Sequence, residues 1–173
     1  WYWPVYGEAD EICFSWSRSR GKAHVVDQLG DFAGTLLSDG YAAYDAYAKT
    51  LPQVTQAQCW AHTRRYFERA QDSDPAAAEA LEIIGALYQV EAQIRERELT
   101  DLAKLDYRRD QALPVVDAFF GWIHTQRQRT DLVNSAPLAK ALVYADNHQA
   151  QLRVYLGDPA VAIDTNHLER ALR

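Results

Sequence analysis

The alternation of large and small side chains in the first 60 residues predicts short strands. Residues 12–16 alternate between large apolar side chains and smaller ones, which is the period of two of a β-strand. Residues 2–6 are aromatic and β-branched and are followed by a glycine, so they predict another short strand. The two runs are close enough in sequence to pair as a hairpin, with its turn at residues 8–10.

Two helical patterns and two further strand patterns follow. Residues 23–34 carry apolar side chains at helical spacing and predict a helix stopped by Gly34. Residues 35–40 predict a third strand and its exit turn, and residues 41–49 predict a second helix. A fourth, weaker strand is expected from residue 54 to about residue 60. The order strand, strand, helix, strand, helix, strand indicates an α/β fold.

From Thr63 onward the apolar stripes recur only at helical spacing, which predicts an all-helical segment. Thr63 is expected to be the N-cap of the first of these helices. Pro75 and Pro137 are expected to open later helices, because proline is tolerated in a first helical turn. Pro114 lies inside a long apolar stripe and predicts a kink or a break.

Composition is that of a folded chain without a membrane span. The 173 residues suffice for one domain, or one domain with an insertion, and 48% of them are hydrophobic. Without a run of about 18 apolar residues or the basic start of a signal peptide, we expect no membrane partner. Cys13 and Cys59 are too few for a disulfide framework, which favours the reducing cytoplasm.

The ends and the charge of the chain limit these expectations. Because the chain starts with Trp1 and contains no methionine, we expect a fragment cut at both ends. The net charge of −6 argues against nucleic-acid affinity spread over the whole surface, but it permits a local basic face.

Two carboxylates are candidates by their position. Asp39 follows an apolar strand, at the end where α/β folds commonly place ligands; the alternative is that it only shapes a turn or caps a helix. Glu169 lies in the first turn of the last predicted helix. If Asn166 is the N-cap, Glu169 has the spacing of a capping box and would only stabilise that helix.

The stretch from Cys59 to Arg65 is the third candidate. Cys59 and His62 have the spacing of half a zinc site, but the other cysteine and histidines offer no second pair close together. His62, Arg64 and Arg65 would instead line an edge that faces phosphate, since arginine binds phosphate in a fork geometry. The alternative is a buried Cys59 followed by a solvated turn. No Ser-His-Asp order, Walker loop or G-x-G-x-x-G motif is visible.

Three sequence blocks together resemble one family. "LSDGYAAYDAY", "QCWAHTRRYFERA" and "IDTNHLERALR" occur in this order, behind the aromatic opening "WYWPVYG" and with a long helical stretch before the last block. Over almost the whole chain the combination resembles the DDE transposases of the bacterial insertion-sequence sixty-six family. These belong to the ribonuclease-H-like, retroviral-integrase superfamily.

The resemblance implies a fold and a division of the chain. The fold would be α/β, with a ribonuclease-H-like mixed sheet that lacks its N-terminal strand and carries a large all-helical insertion. Residues 1–66 would form the α/β part of the catalytic core and residues 67–158 the helical insertion. Residues 159–173 would form the C-terminal helix that returns to the core.

The resemblance also implies an activity, namely DNA transposition by metal-dependent phosphoryl transfer, with cleavage and joining at insertion-sequence ends. By motif position Asp39 and Glu169 are the second and third acidic residues that hold two Mg²⁺ (or Mn²⁺) ions. His62, Arg64 and Arg65 would support the DNA phosphate. The implied partners are insertion-sequence ends, target DNA, and other transposase subunits or accessory transposition proteins, on the bacterial nucleoid.

One part of the family pattern is absent from these 173 residues. The family's first acidic residue lies on a strand before the aromatic opening, so we expect a complete two-metal site only with that residue present. This chain alone is therefore expected neither to cut nor to join DNA, and to bind it weakly and in a salt-dependent way. Two alternatives stay open: a non-catalytic remnant acting as an interaction module, and a ribonuclease-H-like nuclease that cleaves without joining.

Overall fold

The chain opens with an antiparallel hairpin. The computed structural model describes residues 1–7 and 11–166. Strand β1 (Tyr2–Tyr6) pairs with β2 (Ile12–Trp16), with Tyr2 opposite Trp16 and Tyr6 opposite Ile12. The predicted hairpin is therefore confirmed, and its predicted turn at residues 8–10 lies outside the described residues.

A parallel pair of strands follows the hairpin. Helix α1 (Lys22–Leu29) leads to β3 (Gly34–Ser38), and helix α2 (Ala42–Ala48) connects β3 to β4 (Val54–Gln58). The strands run in register from the Gly34–Val54 pair to the Ser38–Gln58 pair. Because both point the same way, their carboxyl ends meet at one edge.

Two predicted boundaries in this part were wrong. The first helix ends at Leu29 and not at Gly34, because Gly30 takes a φ of +53° and donates its N–H to the Val26 carbonyl at 2.8 Å. Glycine adopts such a positive φ without the steric cost that other residues meet, so the chain can leave the helix here. The fourth strand ends at Gln58, since the chain already turns into a helix at Trp60.

The four strands form two small sheets and not the single mixed sheet that was expected. Within the described residues β1 pairs only with β2, and β3 only with β4. A common apolar cluster nevertheless joins both sheets to the first two helices. Its buried members are Trp3, Val25, Ala43, Tyr47 and Val54.

The regular secondary structure described from Trp60 onward is helical. The helices are α3 (Trp60–Glu68), α4 (Ala76–Glu96), α5 (Asp101–Tyr107), α6 (Leu113–Gln126), α7 (Pro137–Asn147) and α8 (Gln149–Arg153), with a 3₁₀ turn at Val154–Leu156. Across residues 1–7 and 11–166, no helix combines the length and the apolar character needed to cross a membrane.

Pro114 changes the helical pattern without ending it. It occupies the first turn of α6, and the five residues before that helix, Arg108–Ala112, form a π-helical segment continuous with α5. A proline cannot donate the backbone N–H that an α-helix requires at this point, and a wider turn is one way to accommodate the loss. The predicted disturbance thus lies just upstream of the proline.

The predicted N-cap at Thr63 was wrong. Helix α3 begins at Trp60, and Thr63 is a fully buried residue inside it. The start depends on a distant partner, because the Trp60 N–H donates to the carbonyl of Ile163 at 3.0 Å. No local side-chain signal marks such a start.

The larger core surrounds the first residue of α3. The Trp60 side chain is fully buried, donates Nε1–H to the Leu152 carbonyl at 2.9 Å, and packs edge-on against Phe119 with ring centres 5.3 Å apart. Buried residues of α4, α6, α7 and α8 complete this cluster. By its packing, α3 therefore joins the strands to the helical segment.

A buried arginine organises the far side of this core. Arg108, in the π-helical segment, is fully buried and makes a bidentate pair with Glu91 of α4 at 2.8 and 2.9 Å. Its Nη1 also donates to the carbonyls of Tyr155 and Asp158, at 2.5 and 3.0 Å. Asp158 in turn accepts a hydrogen bond from Thr35 of β3 at 3.3 Å. Arg108 thus fixes the turn at which the chain leaves the helices.

We predict that Arg108→Met lowers the free energy of unfolding by about 3–5 kcal/mol, because the Glu91 carboxylate would be left buried without its partner. Urea denaturation followed by circular dichroism measures this loss. Arg109→Met is the matched control, since the neighbouring arginine is exposed and pairs with Asp106 on the surface. Equal stability of the two variants would contradict the assigned role of Arg108.

Candidate functional site

Asp39 lies where the parallel strands end. It follows the last residue of β3, is exposed, and accepts a hydrogen bond on Oδ1 from the Tyr41 N–H at 3.0 Å. The end of β4 is held beside it, because the Cys59 N–H donates to the Ser38 carbonyl at 3.0 Å. The predicted placement at the carboxyl edge of the strands is therefore observed. The alternative, that Asp39 only shapes the turn, also accounts for its hydrogen bond to the Tyr41 N–H.

A tyrosine from the helical segment holds this turn. The Tyr144 hydroxyl, from α7, donates to the Asp39 carbonyl at 3.3 Å and accepts from Gln58 Nε2 at 2.5 Å. Burial, and then the neighbouring Tyr66 and Asp39, raise the pKa of Tyr144, so the hydroxyl stays protonated and can donate. Gly40 has a φ of +79°, and a Cβ there would lie 2.5 Å from both the Tyr144 oxygen and Gln58 Nε2. This close approach requires glycine.

Beside the turn is a cavity of about 280 Å³ with cationic walls. One side is the Asp39–Tyr41 turn and the opposite side is one face of α3. The residues of α3 and its C-cap that line it are spaced at i, i+3, i+4 and i+7, which places them on a single helical face. They are His62, Arg65, Tyr66 and Arg69, and Tyr144 completes the wall.

The predicted basic residues separate into two locations. Arg65 Nη1 lies 2.9 Å from His62 Nε2, and because arginine can only donate, the imidazole accepts there and is neutral in this arrangement. Both residues line the cavity. Arg64 is not among the lining residues and pairs with Glu68, one turn further along α3, at 2.8 Å.

The chain returns to this edge after the helical segment. The Ile163 carbonyl accepts the first N–H of α3, and Thr165 donates both its N–H and its hydroxyl to Cys59 Sγ, each at 3.4 Å. Asn166, the expected N-cap, is already helical, and its N–H donates to Asp164 Oδ1 at 3.0 Å. Glu169 lies outside the described residues, so its capping-box reading and its metal role both stay predictions.

The metal expected here has one candidate ligand in place. Among residues 1–7 and 11–166, no group of three His, Cys, Asp or Glu side chains could hold a metal ion. Asp39 nevertheless supplies the oxygen donor that Mg²⁺ prefers, oriented by the Tyr41 N–H. Cys59 belongs to no such group in the part of the chain that the structure describes, and its sulfur accepts the two bonds from Thr165.

Two contributors to the site were missed by the sequence analysis. Arg69 could have been found from the seven-residue spacing to His62, but the helix was expected to begin only at Thr63. Tyr144 gave no local signal, since it is 105 residues from Asp39 and reaches it only through packing of α7 on α3.

Comparison with known proteins identifies the family. The family model described as "Transposase IS66 family" matches residues 1–173, so the chain belongs to this transposase family. It is 28% identical to uncharacterized protein y4qI and 29% identical to uncharacterized protein y4jD, both of Sinorhizobium fredii (strain NBRC 101917 / NGR234). Each alignment covers 94% of this chain, but only 31% and 32% of those relatives, so the chain spans about a third of their length. No solved structure matches it.

We predict that Gly40→Ala destabilises the fold by about 1–2 kcal/mol through its left-handed backbone, with a further loss from the displaced Tyr144 and Gln58. Combining it with Tyr144→Phe removes the hydroxyl that the new Cβ meets. The double variant should therefore lose less stability than the sum of the two single changes, by about 0.5–3 kcal/mol. Thermal unfolding of the four proteins measures this coupling.

Strict additivity of the two single changes would mean that the Tyr144 hydroxyl does not contact the Asp39–Gly40 turn. Gly85→Ala, which meets no atom within 4 Å, is the control for the added methyl group.

We also predict that Cys13 reacts rapidly with iodoacetamide in the folded protein, whereas Cys59 reacts only on unfolding. Cys13 is exposed; Cys59 is fully buried, and burial raises the pKa of its thiol despite the bonds from Thr165. Mass spectrometry of the labelled Cys13→Ala variant isolates the second thiol. Rapid labelling of Cys59 would show that the returning segment does not cover it.

Proposed function

We propose that the chain is part of the catalytic core of a DNA transposase that cleaves and joins DNA at insertion-sequence ends by metal-dependent phosphoryl transfer. Family membership gives the transposase class. The observation that carries the chemical proposal is the return of the chain to Cys59. It brings Asn166, three residues before Glu169, to the edge where Asp39 follows β3.

Asp39 and Glu169 are the acidic pair of this proposal. As carboxylates they would share two Mg²⁺ or Mn²⁺ ions with a first acidic residue from elsewhere in the longer protein. When bound, such ions stabilise the charge on the attacking and leaving oxygens of the phosphate. The contribution of the chain itself is to hold Asp39: Tyr41 fixes its side chain and Tyr144 fixes its carbonyl.

The basic residues of α3 are proposed to contact the DNA backbone. Arg65 offers a planar guanidinium inside the cavity, and its bond to neutral His62 restricts its orientation. Arg64, paired with Glu68 outside the cavity, would contact a more distant phosphate. Protonation of His62 would break its bond to Arg65 and place two positive charges together, so the arrangement depends on the neutral imidazole.

The ribonuclease-H-like fold is part of the same proposal. The antiparallel pair β1–β2 and the parallel pair β3–β4 pack on the same two helices through Trp3 and its neighbours. A strand of the longer protein that carries the first acidic residue would pair between β1 and β3 and unite both pairs into one mixed sheet. Among the described residues, β1 and β3 each pair with a strand on one side only. The other side of each strand is therefore open to such an added strand.

We predict that Asp39→Asn and Glu169→Gln, made in the longer protein, each reduce strand transfer by about 10³-fold, which corresponds to about 4 kcal/mol of lost transition-state stabilisation. The assay uses labelled insertion-sequence ends, target DNA and Mg²⁺. Asp117→Asn is the matched control, because Asp117 is exposed and pairs with Arg153 on the helical segment.

The same assay separates the alternatives. Full strand transfer by Asp39→Asn would refute the proposed site, and cleavage without joining would identify a nuclease. Complete inactivity of the longer protein on its own ends would identify a non-catalytic remnant. Strand transfer by the 173-residue chain alone would contradict the expected need for a further acidic residue.

A further inference from the structure

The strongest unused feature of the molecule is Arg69, the last residue of the cationic face of α3. Its guanidinium carbon lies 5.7 Å from the centre of the Tyr66 ring, and the residue lines the cavity beside Asp39. Cation–π contact of this kind restricts a long side chain without neutralising it. Arg69 is therefore a positioned charge at the mouth of the cavity.

Within residues 1–7 and 11–166, the charge of Arg69 has no carboxylate partner. Several other arginines from α3 onward have carboxylate partners, including Arg64 with Glu68, Arg108 with Glu91 and Arg153 with Asp117. No carboxylate of residues 1–7 and 11–166 lies within salt-bridge distance of Arg69. A positioned cation that faces a cavity and has no carboxylate partner among the described residues is suited to an external anion.

The tyrosines beside Arg69 favour a phosphate over a base. Tyr66 and Tyr144 stack on each other with ring centres 4.1 Å apart and an angle of 19°. Arg69 lies over Tyr66, and His148 lies against Tyr144 at 4.5 Å. Since both rings already have stacking partners, neither offers the open face on which a nucleobase would stack. The cavity should therefore recognise charge and shape without reading sequence.

We propose that Arg69 and Arg65 together bind one backbone phosphodiester of DNA in this cavity, against the Asp39–Gly40 turn. The proposal rests on the function proposed above and adds Arg69 to it as a phosphate-binding residue. Arg69 contributes an exposed charge, and Arg65 contributes a guanidinium one helical turn earlier, oriented by His62. Asp39 lines the same cavity, so in the absence of metal its negative charge opposes the bound phosphate.

The test is DNA binding by the 173-residue chain without metal, followed through the arginine Nε resonances in NMR titrations with short duplexes at several salt concentrations. NMR detects weak binding, and weak binding is expected because the chain carries a net charge of −6. Arg69→Gln should weaken binding several-fold and reduce the slope of log affinity against log salt by about 0.9, the value for one phosphate contact. Arg69→Lys should recover part of the slope, because it keeps the charge and loses the planar fork.

Arg97→Gln is the matched control. Arg97 is also an exposed arginine at the C-cap of its helix, and it lies over a tyrosine, Tyr107, at 5.1 Å, but it does not line the cavity. Its replacement removes the same charge and should leave the slope unchanged. If both variants lose the same slope, or if Arg69→Gln loses none, the proposal is wrong. No detectable binding of duplex by the unchanged chain would also overturn it.

Two further measurements separate this inference from its alternatives. Asp39→Asn should strengthen metal-free binding, because the opposing charge is removed; weaker binding would contradict the placement of the phosphate. Duplexes of different base composition should bind equally, and a strong preference would indicate base recognition instead. These experiments require no metal and no catalysis. The prediction on strand transfer and the prediction on Arg69-dependent binding can therefore fail independently, which distinguishes the two proposals.

Discussion

The buried pair of Arg108 and Glu91 is the constraint on which the remaining architecture depends. An arginine with no solvent exposure needs hydrogen-bond partners, and here four bonds run to a carboxylate on α4 and two carbonyls in the turn after α8. Because the desolvated charge cannot be left unpaired, that turn has little freedom to move. Lys104 adds a bond to the Pro159 carbonyl at 2.7 Å, so the exit from the helices is held at successive residues.

The fixed turn determines where the chain goes next. From Asp158 the backbone runs back to α3, where Ile163 and Thr165 bond to Trp60 and Cys59. The helical segment therefore serves as more than a spacer between the strands and the returning chain. It supplies Tyr144, whose hydroxyl donates to the Asp39 carbonyl. It also directs the returning chain to the same edge of the strands. A substitution of Arg108 should thus change the position of the Asp39 turn, although the two residues are not in contact.

The electrostatics of the site differ from those of the whole molecule. With a net charge of −6 the chain as a whole repels DNA, yet one face of α3 concentrates cationic side chains around a single cavity. Phosphate contacts made there would be few and strongly dependent on salt. Under the proposed function, such a local attraction would position a backbone without selecting a sequence.

The sequence by itself determined the local elements and the candidate residues, because period-two alternation, helical spacing and prolines are signals within about 20 residues. It predicted the hairpin, the α/β order and the position of Asp39 at the end of β3. Only the tertiary structure decided that α3 starts at Trp60, because its cap is the carbonyl of Ile163, about 100 residues away. The same holds for Tyr144 on the Asp39 turn, for Arg69 in the cavity instead of Arg64, and for the division of the strands into two pairs. These features depend on contacts between distant segments, and no local pattern of side chains encodes which distant segment will be the partner.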